Sequence, residues 1–585
     1  MTLRITRREW RNVILFALLI IVLTTLPYAL GYLKQDSQWR FSGFLFGVED
    51  GNSYVGKMRL GARGLLDFYL FYTPEPHASA PFVFLPYILP GWLVGRFIDS
   101  HNPLLFQALT LTYHFMQIIF NLLYIVVLYR FIAAFIKQPK TRFLALILAI
   151  LGGGFGWLLT FLGPTPAEFF IPEGFSWLIL LGLPHLALAR AALLGGFLFL
   201  FRALSSPATI SGGINPAPTQ SISFAIRYSV LTAVCWLIVG LTVPFYLPII
   251  YVILATWGLV LWIAQRRFPR EFTIAGGIAA VITLPLFAYF TYTFAANPIF
   301  AIWSSQNILQ SPPPLDYVAA YILLVACVLV SVRWLWKRIV SGSRSFLSTQ
   351  HSVLSTSSSS LSTQYFGLLL WPIIVPILVY LPLNVQRRMA EAVIVPLAIL
   401  AAVGLRFLKR QPRWKRVYRP VIVLMCMSSI VFLLFLCLGA LGQSRPVYRP
   451  TAELAALDWL NNNAPADSVI LTAFDTGKLS PATNIDTGNL IPAYTNLRPY
   501  VGHGPETAHA TDKDALTRRF FADQMPVDER RALYASVDIR YIFYGPLEQT
   551  LLADKSSVPT WQTDADKIYD SDGYQIWQIK NPPVP

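Results

Sequence analysis

The chain has 585 residues, of which 55% are apolar and 13% charged, with a mean hydropathy of +0.53. Soluble proteins average about 25% charged residues, so a single water-soluble core of this size is excluded. The net charge of +16 is uneven: residues 446–585 hold 12 basic and 18 acidic side chains, residues 1–445 hold 34 and 12, and basic loops between apolar runs report membrane orientation rather than nucleic-acid binding.

MTLRITRREWRN opens the sequence and NVILFALLIIVLTTLPYALGYL follows. That run is too long for a signal-peptide core and lacks a small-residue cleavage site. It predicts a first transmembrane helix with its N-terminus in the cytoplasm and residues 34–80 outside. The loop contains GVEDGNSY, with the adjacent acids Glu49 and Asp50. NSYVGKMRLGARGLLDFYL follows, with Lys57, Arg59 and Arg63 at helical spacing, the pattern of a helix lying on a membrane surface. PFVFLPYILPGWLVGRFI carries two internal prolines and is expected to be half-inserted, because a full crossing would put KQPKTR on the outside.

Residues 103–135 are expected to cross inward. Further spans are expected near 142–163, 174–203, 228–246, 247–265, 271–292, 316–334, 366–384, 389–406 and 420–441. This gives about 11 spans and a multi-pass protein of the cell membrane, with QRRFPR, VRWLWKR and RFLKRQPRWKRVYR inside. Of the 12 acids before Pro446, only Glu9 and Glu271 then face the cytoplasm. Residues 341–364 are Ser/Thr-rich and are expected to be disordered.

From residue 446 the composition becomes that of a soluble domain. TAELAALDWLNNN reads as a helix, DSVILTAF and DIRYIFYG as strands, and KIYDSDGYQIWQI as a hairpin around Ser571-Asp572-Gly573. The expected architecture is a transmembrane domain over 1–445 and a small extracytoplasmic α/β domain over 446–585. Cys235, Cys327, Cys426 and Cys437 all lie in apolar runs, so no disulfide framework is expected.

Several constellations are candidates for chemistry. A carboxylate from the Glu49–Asp50 pair, held in a partly desolvated cleft, suits a general base acting on a sugar hydroxyl; helix capping by Asp50 is the plain alternative. In LPLNVQRRMAEA, Arg387 and Arg388 sit at the outer end of a span, against the orientation rule, where paired arginines bind phosphate or snorkel to headgroups. In the loop AANPIFAIWSSQNILQSPPPLDY, Trp303, Gln306 and Asn307 are candidates to line a sugar site, with an interfacial aromatic belt equally explaining Trp303. His114 and His185 lie within spans, where a bond to a neighbouring helix is the simpler reading. IPAYTNLRPYVGHGPET contributes Arg498, His503 and Glu506, the last two candidate substrate contacts. The sequence holds no H-E-x-x-H, paired C-x-x-C, Walker loop or G-x-S-x-G, so no metal or cofactor is expected.

Taken together, these features resemble the GT-C class of polytopic glycosyltransferases, which includes protein O-mannosyltransferases and lipid A aminoarabinose transferases. The resemblance rests on one helix, an outer loop with an acidic pair, a helix after it, the FVFLPYILPGWLVGRF segment, a run of spans and a terminal soluble domain. NPIFAIWSSQNILQSPPPLDY, LPLNVQRRMAEAVIVPLAIL and IPAY…GHGPET look like a group of bacterial membrane proteins with GT-C-like assignments. The resemblance implies a polyprenyl-phosphate-linked sugar donor, a glycan, lipid or protein acceptor, and an outer-loop base, placed at Asp50 with Glu49 as alternate. Gly51-Asn52-Ser53 after the acids, and Ala80-Pro81 where the mannosyltransferases carry Pro-Pro, depart from that pattern. The competing readings are a transporter or flippase of a lipid-linked intermediate and a non-catalytic scaffold with an outer binding domain. A transporter predicts internal repeats and midplane charges, whereas the acids here cluster at the outer face.

Overall fold

The computed structural model describes residues 4–163, 165–205, 218–347, 356–474, 486–552 and 557–580. The chain packs as two compact units: Met1–Thr25, Met116–Thr291 and Leu309–Leu434 form the first, and Leu26–Phe115, Tyr292–Ile308 and Phe435–Pro585 the second.

Among the described residues, ten helices are long and apolar enough to cross a membrane. They are Arg7–Lys34, Leu105–Phe135, Pro139–Thr160, Pro184–Ala203, Ser223–Thr242, Tyr246–Gln265, Arg270–Ala296, Pro314–Val332, Gln386–Arg410 and Tyr418–Leu441. Leu15, Leu18, Val22, Val281 and Leu329 are exposed along them, which only an apolar solvent tolerates. The protein is therefore a multi-pass membrane protein, mostly helical, with a small sheet near its C-terminus.

Three expectations are corrected. The eleventh span, expected at 366–384, is the helix Thr356–Leu378, which ends several residues before the expected boundary. The run at 174–203 breaks at Leu183 into Ser176–Gly182 and Pro184–Ala203, because Pro184 disfavours helical backbone in the residue before it. The tract 341–364 is not uniformly irregular. Residues 341–347 continue the helix Pro314–Leu347, and 356–364 belong to the helix Thr356–Leu378. Extending an existing helix is far easier than nucleating one, so composition alone underestimates such extensions. Residues 348–355, including His351, lie outside the described residues. The proline-rich segment forms the ten-residue helix Leu85–Val94, too short to cross a bilayer.

In the first unit the helix Arg7–Lys34 starts on a reciprocal cap, Thr6 Oγ1 accepting from the Glu9 N–H and Glu9 Oε2 from the Thr6 N–H. The other oxygen of Glu9 takes Arg142 at 2.7 Å and Tyr129 at 3.0 Å. A second buried pair lies between two spans. Arg190 grips Glu391 through two hydrogen bonds of 2.7 and 2.8 Å, with both side chains fully buried.

In the second unit β1 (Trp39–Phe41) pairs antiparallel with β2 (Tyr448–Pro450), joining the loop after the first helix to the start of the C-terminal segment. The C-terminal segment carries the helix Thr451–Asn463 and a sheet of β3 (Val469–Leu471), β4 (Arg498–Pro499), β5 (Ile539–Tyr544), β6 (Ala565–Ser571) and β7 (Tyr574–Ile579). Its strand order is β4-β3-β5-β7-β6, parallel on the β4-β3-β5 side and antiparallel through β7 and β6. Asp572 and Gly573, both at positive φ, make the β6–β7 turn that the sequence predicts. Phe520, Phe521, Trp561 and Ile542 are among the residues filling the core under the sheet.

The helices Val48–Ala62 and Leu85–Val94 cross backbone to backbone. A Cβ at Gly91 would stand 1.8 Å from the Met58 carbonyl oxygen, one at Gly61 2.0 Å from that of Ile88, and one at Gly95 2.3 Å from that of Ala62. Only glycine permits the approach at these three positions.

The buried Arg190–Glu391 pair yields a stability prediction. Glu391→Gln or Arg190→Met alone leaves a buried group without its counter-charge, a change that typically costs ~3–5 kcal/mol. Thermal unfolding in detergent should show a large loss for each single variant. The Arg190→Met/Glu391→Leu double variant should recover most of it, and no recovery would mean the pair is not the reason.

Candidate active site

Glu49 and Asp50 occupy the first turn of the helix Val48–Ala62, where the unpaired backbone N–H groups favour negative charge. The residue before the helix is Gly47, in the left-handed conformation, so Asp50 does not cap it. The helix is not a membrane-surface helix either: Lys57 and Arg59, expected to face headgroups, are almost wholly buried. Their polar ends are satisfied inside the unit. Arg59 donates to Asn496 Oδ1, Asn461 Oδ1 and the carbonyls of Ala493 and Ser100.

Asp50, Ser53 and Lys57 share one helix face, at spacings of three and four. Lys57 Nζ bonds Ser53 Oγ at 2.6 Å and Glu506 Oε1 at 2.7 Å, and Ser53 donates to the same carboxylate at 3.0 Å. The ammonium also lies 4.0 Å from the Phe84 ring centroid, a placement favourable to a cation. This cluster fastens the helix to the segment 503–509. Thr73 holds the same segment by accepting from the Ala508 N–H and donating to the Glu506 carbonyl. Gln306 holds it from another side, donating to the Thr507 carbonyl at 2.7 Å and accepting from the His509 N–H at 2.8 Å.

His503 is the product of that scaffolding. It is buried, lies against the Tyr72 ring at 5.2 Å between centroids, and points Nε2 at Asp50 Oδ1, 3.7 Å away. That is an ion-pair distance rather than a hydrogen bond. The side chain of Asp50 is 64% exposed, so the pair joins a buried ring to a carboxylate open to a ligand. Burial opposes a charged ring, but the carboxylates of Glu49, Asp50 and Glu506 outweigh it and raise His503 to about 9. Nδ1 accepts the Glu506 N–H at 3.3 Å, a bond the ring gives up when it takes its second proton.

The sequence misses three members of this neighbourhood. Asn489 accepts from Asn52 at 2.7 Å and donates to the Glu49 carbonyl at 3.3 Å. Tyr72 donates to the Asn489 carbonyl at 2.7 Å. Asp486 is buried with neither carboxyl oxygen hydrogen-bonded among the described residues. Burial, and then the charge of Glu49, hold its pKa well above the carboxylate range.

The structure thus brings Asp50, Glu49, His503, Glu506 and Gln306 into one neighbourhood. Trp303 is corrected: it is buried among Phe68, Phe84, Phe294 and Phe300 and offers no open face to a sugar. Asn307 ends the helix Pro298–Gln306 through its backbone N–H. His114 bonds the carbonyl of Gly43 at 3.0 Å, in the loop before Val48–Ala62 rather than on a neighbouring helix.

Arg387 and Arg388 belong to the first unit, on the 3-10 turn Gln386–Ala390. Arg388 Nε is 4.0 Å from Glu173 Oε1. The two guanidinium groups lie 5.7 Å and 5.3 Å from the ring centroids of Phe170 and Phe245. Both Nε atoms are buried without a hydrogen-bond partner among the described residues. Buried donors left unmade are costly, so the pair is suited to an anion. Among the described residues no group of three or more His, Cys, Asp or Glu is placed to hold a metal ion.

No protein-family model matches the sequence, and no curated protein matches it. Among solved structures the chain is similar to the arabinofuranosyltransferase AftD from mycobacteria, with a TM-score of 0.49 and 13% identity over 99% of this chain. It spans 40% of the length of that protein.

The charge on His503 predicts a pH dependence of stability. Its folded pKa of about 9 lies above the ordinary 6.5, so its contribution is complete below pH 6.5 and is lost as pH rises through 9. Thermal unfolding of the wild type should therefore weaken from pH 6.5 to 9 more than that of His503→Asn. Parallel curves for the two would show that the ring is not charged.

Proposed function

We propose that the protein is a membrane glycosyltransferase of the GT-C kind. It moves a sugar from a polyprenyl-phosphate donor to an acceptor hydroxyl at the outer face. The observation that carries this reading is the exposed Asp50 carboxylate facing the buried His503 ring at 3.7 Å. Polyprenyl phosphate is a good leaving group, so the protein's main task is to take the proton of the attacking hydroxyl. Asp50 takes it as general base, His503 fixes the orientation of the carboxylate, and Glu49 orients Asp50 or the acceptor. One in-line displacement inverts the anomeric centre. Arg387 and Arg388, whose Nε atoms are buried without a partner among the described residues, bind the phosphate of a polyprenyl-phosphate donor.

In this reading the N-terminus is cytoplasmic and the C-terminal domain extracytoplasmic. Cysteines introduced at positions 350 and 560 should label from opposite sides of the membrane; labelling from one side would overturn the orientation.

The chemistry is tested with purified protein and candidate polyprenyl-phosphate sugars. Asp50→Asn keeps size and removes basicity, and loss of a positioned base typically lowers rate ~10²–10⁴-fold. Thermal stability should barely change, because Gly47 rather than Asp50 precedes the helix and a first-turn charge is worth only ~0.3–1 kcal/mol. Replacing both Arg387 and Arg388 with Gln should weaken donor binding. Transfer that survives Asp50→Asn and fails in Glu49→Gln would exchange the roles of the two acids. Full activity in both would remove the catalytic assignment.

A further inference from the structure

A second feature lies wholly within the first unit. Residues 4–10, the second half of Leu105–Phe135, and most of the length of Pro184–Ala203 and Ser223–Thr242 line a cavity of about 790 Å³. Ligand pockets typically run from ~300 to 1,000 Å³, so the space is large enough for a headgroup and the first part of a chain. Leucine, alanine, valine and phenylalanine side chains make up most of the wall. Three cations interrupt it: Arg4, Arg130 and Arg202. The lining holds no carboxylate. Among the described residues none of the three arginines makes an ion pair.

Two of these cations are held in place by rings. The Arg130 guanidinium lies 5.4 Å from the Trp10 ring centroid, and that of Arg202 lies 5.7 Å from that of Tyr228. A ring positions a cation without neutralising it. Ser205 and Gln364 add polar groups to the same wall. Tryptophan and tyrosine beside arginine, at the ends of apolar helices, are the chemistry of the headgroup level of a bilayer. An apolar cavity with three guanidinium groups in its lining and no carboxylate complements an amphiphile whose single polar end is an anion.

We propose that this cavity is a binding site for an anionic phospholipid, its phosphate held by Arg4, Arg130 and Arg202 and an acyl chain laid along the apolar wall. The occupant comes from the leaflet at that end of the helices. The site is separate in its residues from Asp50, His503, Arg387 and Arg388, and it stands or falls independently of the reaction proposed above.

The test uses full-length protein in nanodiscs of phosphatidylcholine containing a minor fraction of phosphatidylglycerol, released into detergent and weighed by native mass spectrometry. The wild type should retain phosphatidylglycerol in preference to phosphatidylcholine. The Arg4→Gln/Arg130→Gln/Arg202→Gln variant should retain it at least about tenfold less, since hydrogen bonds to charged groups are each worth about a decade of affinity or more. A control variant, Arg413→Gln/Lys415→Gln/Arg416→Gln, alters an equally basic exposed loop and should retain it like the wild type. Circular dichroism and size exclusion identify a variant that fails to fold, and single Arg→Lys variants with partial retention then supply the same reading. Equal retention of both lipids by the wild type would overturn the proposal, and so would an equal loss in the control variant. Displacement of phosphatidylglycerol by stoichiometric undecaprenyl phosphate would also overturn it, because the occupant would then be a polyprenyl phosphate.

Discussion

One buried cation organises the second unit. Lys57 sits on the helix that carries the two acids, and its ammonium ends on Glu506, from a segment 449 residues away. Both charges are nearly inaccessible to water, so neither is tolerable without the other. Ser53 takes part of the lone-pair and proton load, and the aromatic rings around the ammonium exclude water. Everything that faces Asp50 follows from this contact. Glu506 locates the turn, the turn locates His503, and Gln306 and Thr73 keep the turn from rotating about the ion pair.

The two carboxylates of GVEDGNSY thus differ in setting although they are adjacent. Asp50 projects outward beside a buried imidazolium. Glu49 adds negative potential to the same ring and to the neutral Asp486. Glu506 is paired with Lys57, whereas Asp50 keeps an exposed carboxylate.

Much of this was legible beforehand. Twenty-residue apolar runs announce themselves, and the hairpin at 565–579 and the helix at 451–463 follow from turn chemistry and period. Asp50, Glu49, His503, Glu506 and Gln306 were picked out by rarity and polarity, and folding collects them. What the sequence could not show was burial set by distant partners. Lys57 and Arg59 look like headgroup contacts until Glu506, Asn461 and Asn496 arrive from the far end of the chain. Trp303 failed for the converse reason, because an interfacial tryptophan and a core tryptophan read alike in a polar loop. The break before Pro184 was missed because hydropathy averages over proline and does not register backbone geometry.

The glycine crossing between Val48–Ala62 and Leu85–Val94 carries a consequence for how this protein varies. An outward-facing carboxylate is sterically free, so many side chains fit at position 50 even where they destroy function. Gly61, Gly91 and Gly95 have no such latitude, since a single methyl group at any of them meets a carbonyl oxygen of the facing helix. The axis on which Asp50 rides is therefore set by three residues that take no part in chemistry. Substitution is blocked more firmly at these glycines than at the carboxylate itself, along the helix contact beneath the acids.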